Sequence, residues 1–133
     1  MEIGFELNVQ LPYDDTLIKV VEALKEEGFG VLTQIDVRAT LKEQLGEDFQ
    51  PYVILGACNP PLAHRAMTQD GVVGLLLPCN VTVEAQDGSN SIVRIANPEV
   101  MMKVGSLQDN KMLSEVAAEA RECLERVAQS LID

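Results

Sequence analysis

The stretch Leu75-Leu76-Leu77-Pro78-Cys79-Asn80-Val81-Thr82-Val83-Glu84-Ala85-Gln86-Asp87-Gly88-Ser89-Asn90-Ser91-Ile92-Val93-Arg94-Ile95-Ala96 decides the fold class. Leu75, Leu77, Cys79, Val81 and Val83 fall on alternate positions, the period of a strand with one buried face. Asp87-Gly88 is a turn signal, and Ser91 to Ala96 reads as the return strand. A hairpin pairs its strands antiparallel, so part of the sheet is antiparallel from the outset.

The neighbouring segments extend this reading in both directions. Tyr52 to Ala57 is an apolar run with β-branched and aromatic members, the composition of a buried strand. Asn59-Pro60-Pro61 then sets an N-cap residue ahead of prolines, which predicts a helix from Pro60 to about Gln69. Farther upstream, Ile3, Phe5, Leu7, Val9 and Leu11 alternate as a first strand that Pro12 ends. Asp14 or Asp15 caps a helix with the apolar face Leu17, Val20, Val21 and Leu24, and Gly28 suits its left-handed end. Val31, Ile35 and Val37 suggest another strand. Val37, Leu41 and Leu45 line one side of a short helix ended by Gly46. Downstream, Asn97-Pro98 repeats the cap-and-proline device for a short helix through Met102. Leu113, Val116, Ala117, Ala120, Leu124, Val127 and Leu131 mark a long amphipathic helix.

With 133 residues and no repeat, linker or low-complexity tract, residues 1–133 read as one domain. Helices interrupt the strands unevenly and most connections are short. The expectation is an α+β domain with a mostly antiparallel sheet and the first and last helices on one face. A doubly wound parallel sheet would need crossover helices more regularly.

Composition bounds the function. Hydrophobic residues make up 47% of the chain, enough for a core without disulfide or metal. Ten basic residues against 21 acidic ones give a net charge of −11, and the basic residues form no stripe. Binding to duplex nucleic acid or an anionic membrane relies on clustered Lys and Arg, so both classes of partner are excluded. No apolar run approaches the ~20 residues that span a bilayer. Met1-Glu2-Ile3-Gly4-Phe5-Glu6 has neither the basic nor the apolar region of a signal peptide, and an odd count of three cysteines suits a reducing compartment. The expectation is an acidic cytoplasmic protein.

The residues able to carry chemistry gather between Tyr52 and Val83. Cys58 ends a strand, Asn59 caps the next helix, and His64 lies about 7 Å along that helix axis at ~1.5 Å per residue. Cys79 follows Pro78 on a strand able to neighbour that of Cys58, and Asn80 repeats the Cys-Asn pair. Cys58, His64 and Cys79 together would suit a transition metal or a haem axial ligand, with Asn59 and Asn80 lining a small-ligand pocket. Alternatively, Cys58 is the nucleophile of a thiol-dependent enzyme with His64 as its base. Pro60 and Pro61 weigh against that by removing N–H groups a thiolate would face. A third reading is a plain interaction domain, in which Cys79 packs in register with Leu77 and Val81, Cys123 joins the stripe of the last helix, and Met101-Met102 is an apolar anchor. The glycines show no nucleotide-binding spacing.

Gly28-Phe29-Gly30-Val31-Leu32-Thr33 and Pro51-Tyr52-Val53-Ile54-Leu55-Gly56-Ala57-Cys58-Asn59-Pro60, continued by Leu62-Ala63-His64-Arg65-Ala66 and Gly74-Leu75-Leu76-Leu77-Pro78-Cys79-Asn80-Val81, resemble the domain-of-unknown-function family 302. The resemblance spans almost the whole chain. It implies a small α+β domain with a curved antiparallel sheet, a long C-terminal helix and an architecture similar to the TATA-binding protein without its nucleic-acid role. It also implies pairing as a homodimer. It supplies no reaction, and its characteristic stretches contain Cys58, His64 and Cys79.

Overall fold

The computed structural model describes residues 2–132. Five strands, β1 (Gly4–Val9), β2 (Gly30–Asp36), β3 (Tyr52–Cys58), β4 (Cys79–Ala85) and β5 (Ser91–Ala96), form one sheet in the order β1-β5-β4-β3-β2. Every neighbouring pair is antiparallel, as an α+β reading requires. The layout is compatible with a TATA-binding-protein-like architecture. A register shift between Val31 and Thr33 marks a bulge in β2.

Five α-helices accompany the sheet: α1 (Tyr13–Glu26), α2 (Val37–Leu45), α3 (Pro60–Gln69), α4 (Pro98–Met101) and α5 (Lys111–Ile132). β1 and β2 are opposite edges of the sheet, so α1 must carry the chain across its whole face. Fourteen residues of helix rise about 21 Å, and four inter-strand gaps span about 19 Å, so the length fits the task. α5 lies beside α1 on the same face, where Lys19 Nζ donates to the Leu131 carbonyl at 3.2 Å and Arg126 pairs with Glu27. The alternation of β3, β4 and β5 turns Val53, Leu55, Ala57, Val81, Val83, Val93 and Ile95 into this face, all buried. The helices meet them with Val20, Leu24, Leu124, Val127 and Leu131. Each side chain of this size is worth about 1.5–3 kcal/mol on burial, so the sheet–helix layer dominates stability.

A second, smaller core lies under α3 and the N-terminal half of α5. Ala66, Val73, Met102, Leu107, Leu113, Val116 and Ala117 form it, and Leu62 touches both cores. Arg65 pairs with Glu119 across the α3–α5 contact.

Three local expectations change. The Leu75–Leu77 stretch is not strand: Gly71–Leu76 is a 3₁₀ turn that Asp70 caps, its Oδ1 accepting from Val72 N–H at 3.0 Å. Pro78 has no N–H for a ladder, and central β4 begins only after it. At the start of α1 the capping position is Pro12, while Asp14 and Asp15 sit in the first turn, where negative charge favours the helix end. The helix predicted from Val37, Leu41 and Leu45 forms, yet none of its residues is buried. Among the described residues no helix is long and apolar enough to cross a membrane.

Candidate functional site

Sheet register brings the two cysteine strands together. Ala57 stands opposite Cys79, and Cys58 is the next residue of β3, one position beyond that pair at the end of the β3–β4 ladder. The ladder is tight here because Gly56 has no side chain. A Cβ at Gly56 would come 2.3 Å from Thr33 Oγ1 and 2.7 Å from Pro78 Cγ.

Asn59 fixes the exit from β3 into α3. Its Oδ1 accepts from Leu62 N–H at 3.3 Å, and its Nδ2 donates to the Glu27 carbonyl at 3.4 Å, tying α3 to the end of α1. Gly28 makes room for it with φ +83°, and a Cβ there would lie 3.0 Å from Asn59 Nδ2. The cap reading of Asn59 therefore holds.

Cys58, Asn59 and Cys79 line a cavity of about 40 Å³ at the seam between the two cores, with Phe29, Met102 and Ala117 among the apolar walls. A second cavity of about 70 Å³ lies against Cys79 and includes Asn80, Met101 and Met102. Cys79 and Met102 border both. Burial pushes the Cys79 thiol up to about 11, and the neighbouring Cys58 thiol adds to the rise. Cys79 is thus a neutral thiol at physiological pH.

His64 is elsewhere. Leu62, Ala63 and Ala66 of α3 face the cavity, whereas His64 is exposed and lines no part of it. Residues two apart on a helix do not share a face, so His64 points away from the side that Leu62 and Ala66 present. Among the described residues no three His, Cys, Asp or Glu side chains are grouped to hold a metal ion. The structure brings Cys58, Asn59, Cys79 and Asn80 to the two cavities and leaves His64 outside them.

The start of α3 offers nothing to a thiolate. Pro60 and Pro61 have no N–H, Leu62 N–H goes to Asn59 Oδ1, and Ala63 N–H goes to the Asn59 carbonyl at 2.9 Å. Cys123, half-buried on α5, packs against the larger core away from the cavity. Burial raises its thiol despite the guanidinium of Arg126, 3.3 Å from Sγ.

Sequence reasoning gave Met102 only an anchoring role. It is indeed buried in the smaller core, but it also walls both cavities. No local pattern announces this, because Met102 shares these cavities with Cys79 across 23 positions of chain. On the open face of the sheet, a groove of about 460 Å³ runs past Thr82 and Arg94. Arg94 is already held by Glu84 and Glu6, so the groove presents no free cation to a ligand.

No curated protein matches the chain. Among solved structures, it is similar to the crystal structure of an uncharacterized conserved protein DUF302 from Bacillus stearothermophilus. The identity is 32%, with a TM-score of 0.82, over 98% of this chain and 97% of that one. The model of the domain of unknown function DUF302 matches residues 5–131, and the chain belongs to that family.

Proposed function

We propose that the protein is a small-ligand-binding module whose site is the cavity between Cys58 and Cys79. The observation that carries this is the meeting of two thiols from different strands on one apolar cavity at the seam of two cores. Its volume of about 40 Å³ sets the size of the guest. Organic ligands and haem occupy clefts of roughly 300–1,000 Å³, whereas a water or an ion needs only a few tens. The volume therefore favours an ion-sized ligand over haem. A thiol-dependent enzyme gains less support, because His64 lies outside the cavity and the start of α3 has no free N–H for an anion. Three free thiols suit a reducing compartment, so a cytoplasmic setting belongs to this reading.

The test is native mass spectrometry of untagged protein purified without oxygen, beside Ala117→Val, which puts two methyl groups into the cavity wall. Extra mass on the wild type that the folded variant lacks supports the pocket. Wild type at its bare sequence mass overturns it.

A second feature favours a homodimer. β2 is an edge strand of seven residues with neither Lys nor Pro to protect it, and Leu32 is 68% exposed. α2 beside it buries no residue, and Leu45 is also 68% exposed. A nine-residue helix is not stable in isolation, so it needs a surface to cover it. Residues 30–45 carry Asp36 and Glu43 against Arg38 and Lys42, an even balance on a chain of net charge −11. Two copies meet the least repulsion there. Sedimentation should give a dimer for the wild type and a monomer for Leu32→Glu/Leu45→Glu. A monomeric wild type removes the dimer and leaves the pocket untouched.

A further inference from the structure

The geometry points to a soft monovalent metal ion, copper(I) in chemical class, held by the sulfurs of Cys58, Cys79 and Met102. This rests on the pocket reading above and names its ligand. The donor set decides the class. Zinc sites are closed by four His, Cys or carboxylate ligands, and catalytic ones by three with water. Among the described residues no third such side chain joins the two cysteines. What does join them is methionine: Met102 walls the same cavity, and Met101 borders the adjoining one against Cys79. Thiolate with thioether is the donor combination that selects copper(I) over harder ions.

The surroundings agree with the donors. Phe29, Ala57, Ala66 and Val116 make the walls mostly apolar, and the amide of Asn59, which caps α3, is their polar member. A cavity of about 40 Å³ suits a bare ion. Each cysteine binds as its thiolate: as a metal–sulfur bond forms, the S–H bond of a protonated thiol breaks and its proton goes to solvent. The thioether gives up none, and the metal stays in the +1 state throughout. Occupancy therefore falls as pH falls.

The test is an anaerobic titration of metal-free protein with copper(I), buffered by bicinchoninate as the competing chelator. X-ray absorption at the copper edge follows on the loaded protein. The expected result is one ion per chain with a first shell of sulfur alone. Cys79→Ala should abolish binding. Met102→Leu, a volume-conserving change the core tolerates, should weaken it at least about tenfold. His64→Ala should bind as the wild type does. No uptake, nitrogen or oxygen in the first shell, or an unaltered Met102→Leu would each overturn the assignment. Extra mass without metal in the native spectrum would remove this ligand while leaving the pocket reading standing.

Discussion

Raising the pH is the sharpest perturbation of the site, because one buried thiol should then destabilise the fold. Cys79 titrates at about 11 in the folded chain against 9.0 for a free thiol, with burial the first cause and the Cys58 thiol the second. A raised pKa means that the folded chain holds this proton more tightly than the unfolded chain. The stabilisation is complete below pH 9.0 and drains away as pH climbs to about 11. Each unit of difference is worth 1.36 kcal/mol, so the loss over this window is about 3 kcal/mol. Tyr13, raised by its own burial and by Asp36 and Asp14, adds an alkaline loss of the same sign. The comparison with Cys79→Ala removes that contribution, because Tyr13 is common to both proteins. The assay is urea denaturation of metal-free, reduced wild type and Cys79→Ala at intervals across the window. The wild type should lose more stability than the variant, and the gap should close from about pH 9 upward. Parallel curves would refute the argument, since they would mean that Cys79 ionises as freely folded as unfolded.

Other expectations test the frame around the site. Gly56→Ala forces a Cβ into Thr33 and Pro78 and should cost at least ~2 kcal/mol in denaturant melts. Asn59→Ala should cost ~1 kcal/mol as a lost cap, read from thermal unfolding. Glu84 is held below its ordinary 4.5, chiefly by the hydrogen bond that Arg94 donates. The stability from that pair is present above pH 4.5 and is lost as pH falls below it, so Arg94→Met should show a shallower acid limb than the wild type.

What the sequence made legible follows from how local each signal is. The apolar stripe of α5, the caps Asn59 and Asn97 and the Asp87-Gly88 turn are written within a few residues of where they act. Asn97 Oδ1 accepts from Glu99 N–H at 3.0 Å, and Asp87 accepts from Ser89 N–H at 2.8 Å. Leu75–Leu77 misled because alternation in an apolar run does not separate strand from 3₁₀ turn, and the proline that settles it follows the run. His64 misled for a rotational reason: axial distance brought it near Cys58, while its position on the helix turned it outward. Met102 was out of reach because only tertiary packing brings it to the cavities that Cys79 lines. The exposure of α2 was equally invisible, since an apolar stripe looks alike whether its partner is this chain or another.

The cavity itself argues against a purely structural role for the two cysteines. Ala57, Ala63, Ala66, Ala117 and Ala120 all line it. Five alanines on one void mean that a single larger side chain from any of three elements would fill it. Keeping about 40 Å³ of this pocket unfilled by side chains forgoes at most ~1 kcal/mol of packing at ~24 cal/mol per Å³, a material fraction of the 5–15 kcal/mol that holds a domain together. A domain built only to pack has no use for that cost, whereas a site must keep room for its guest. The void also lies where the two cores meet and where three chain segments deliver sulfur. The two readings then diverge on one variant. In Ala117→Val, packing alone predicts a gain in stability and nothing else, while a binding site predicts the same gain together with loss of the ligand.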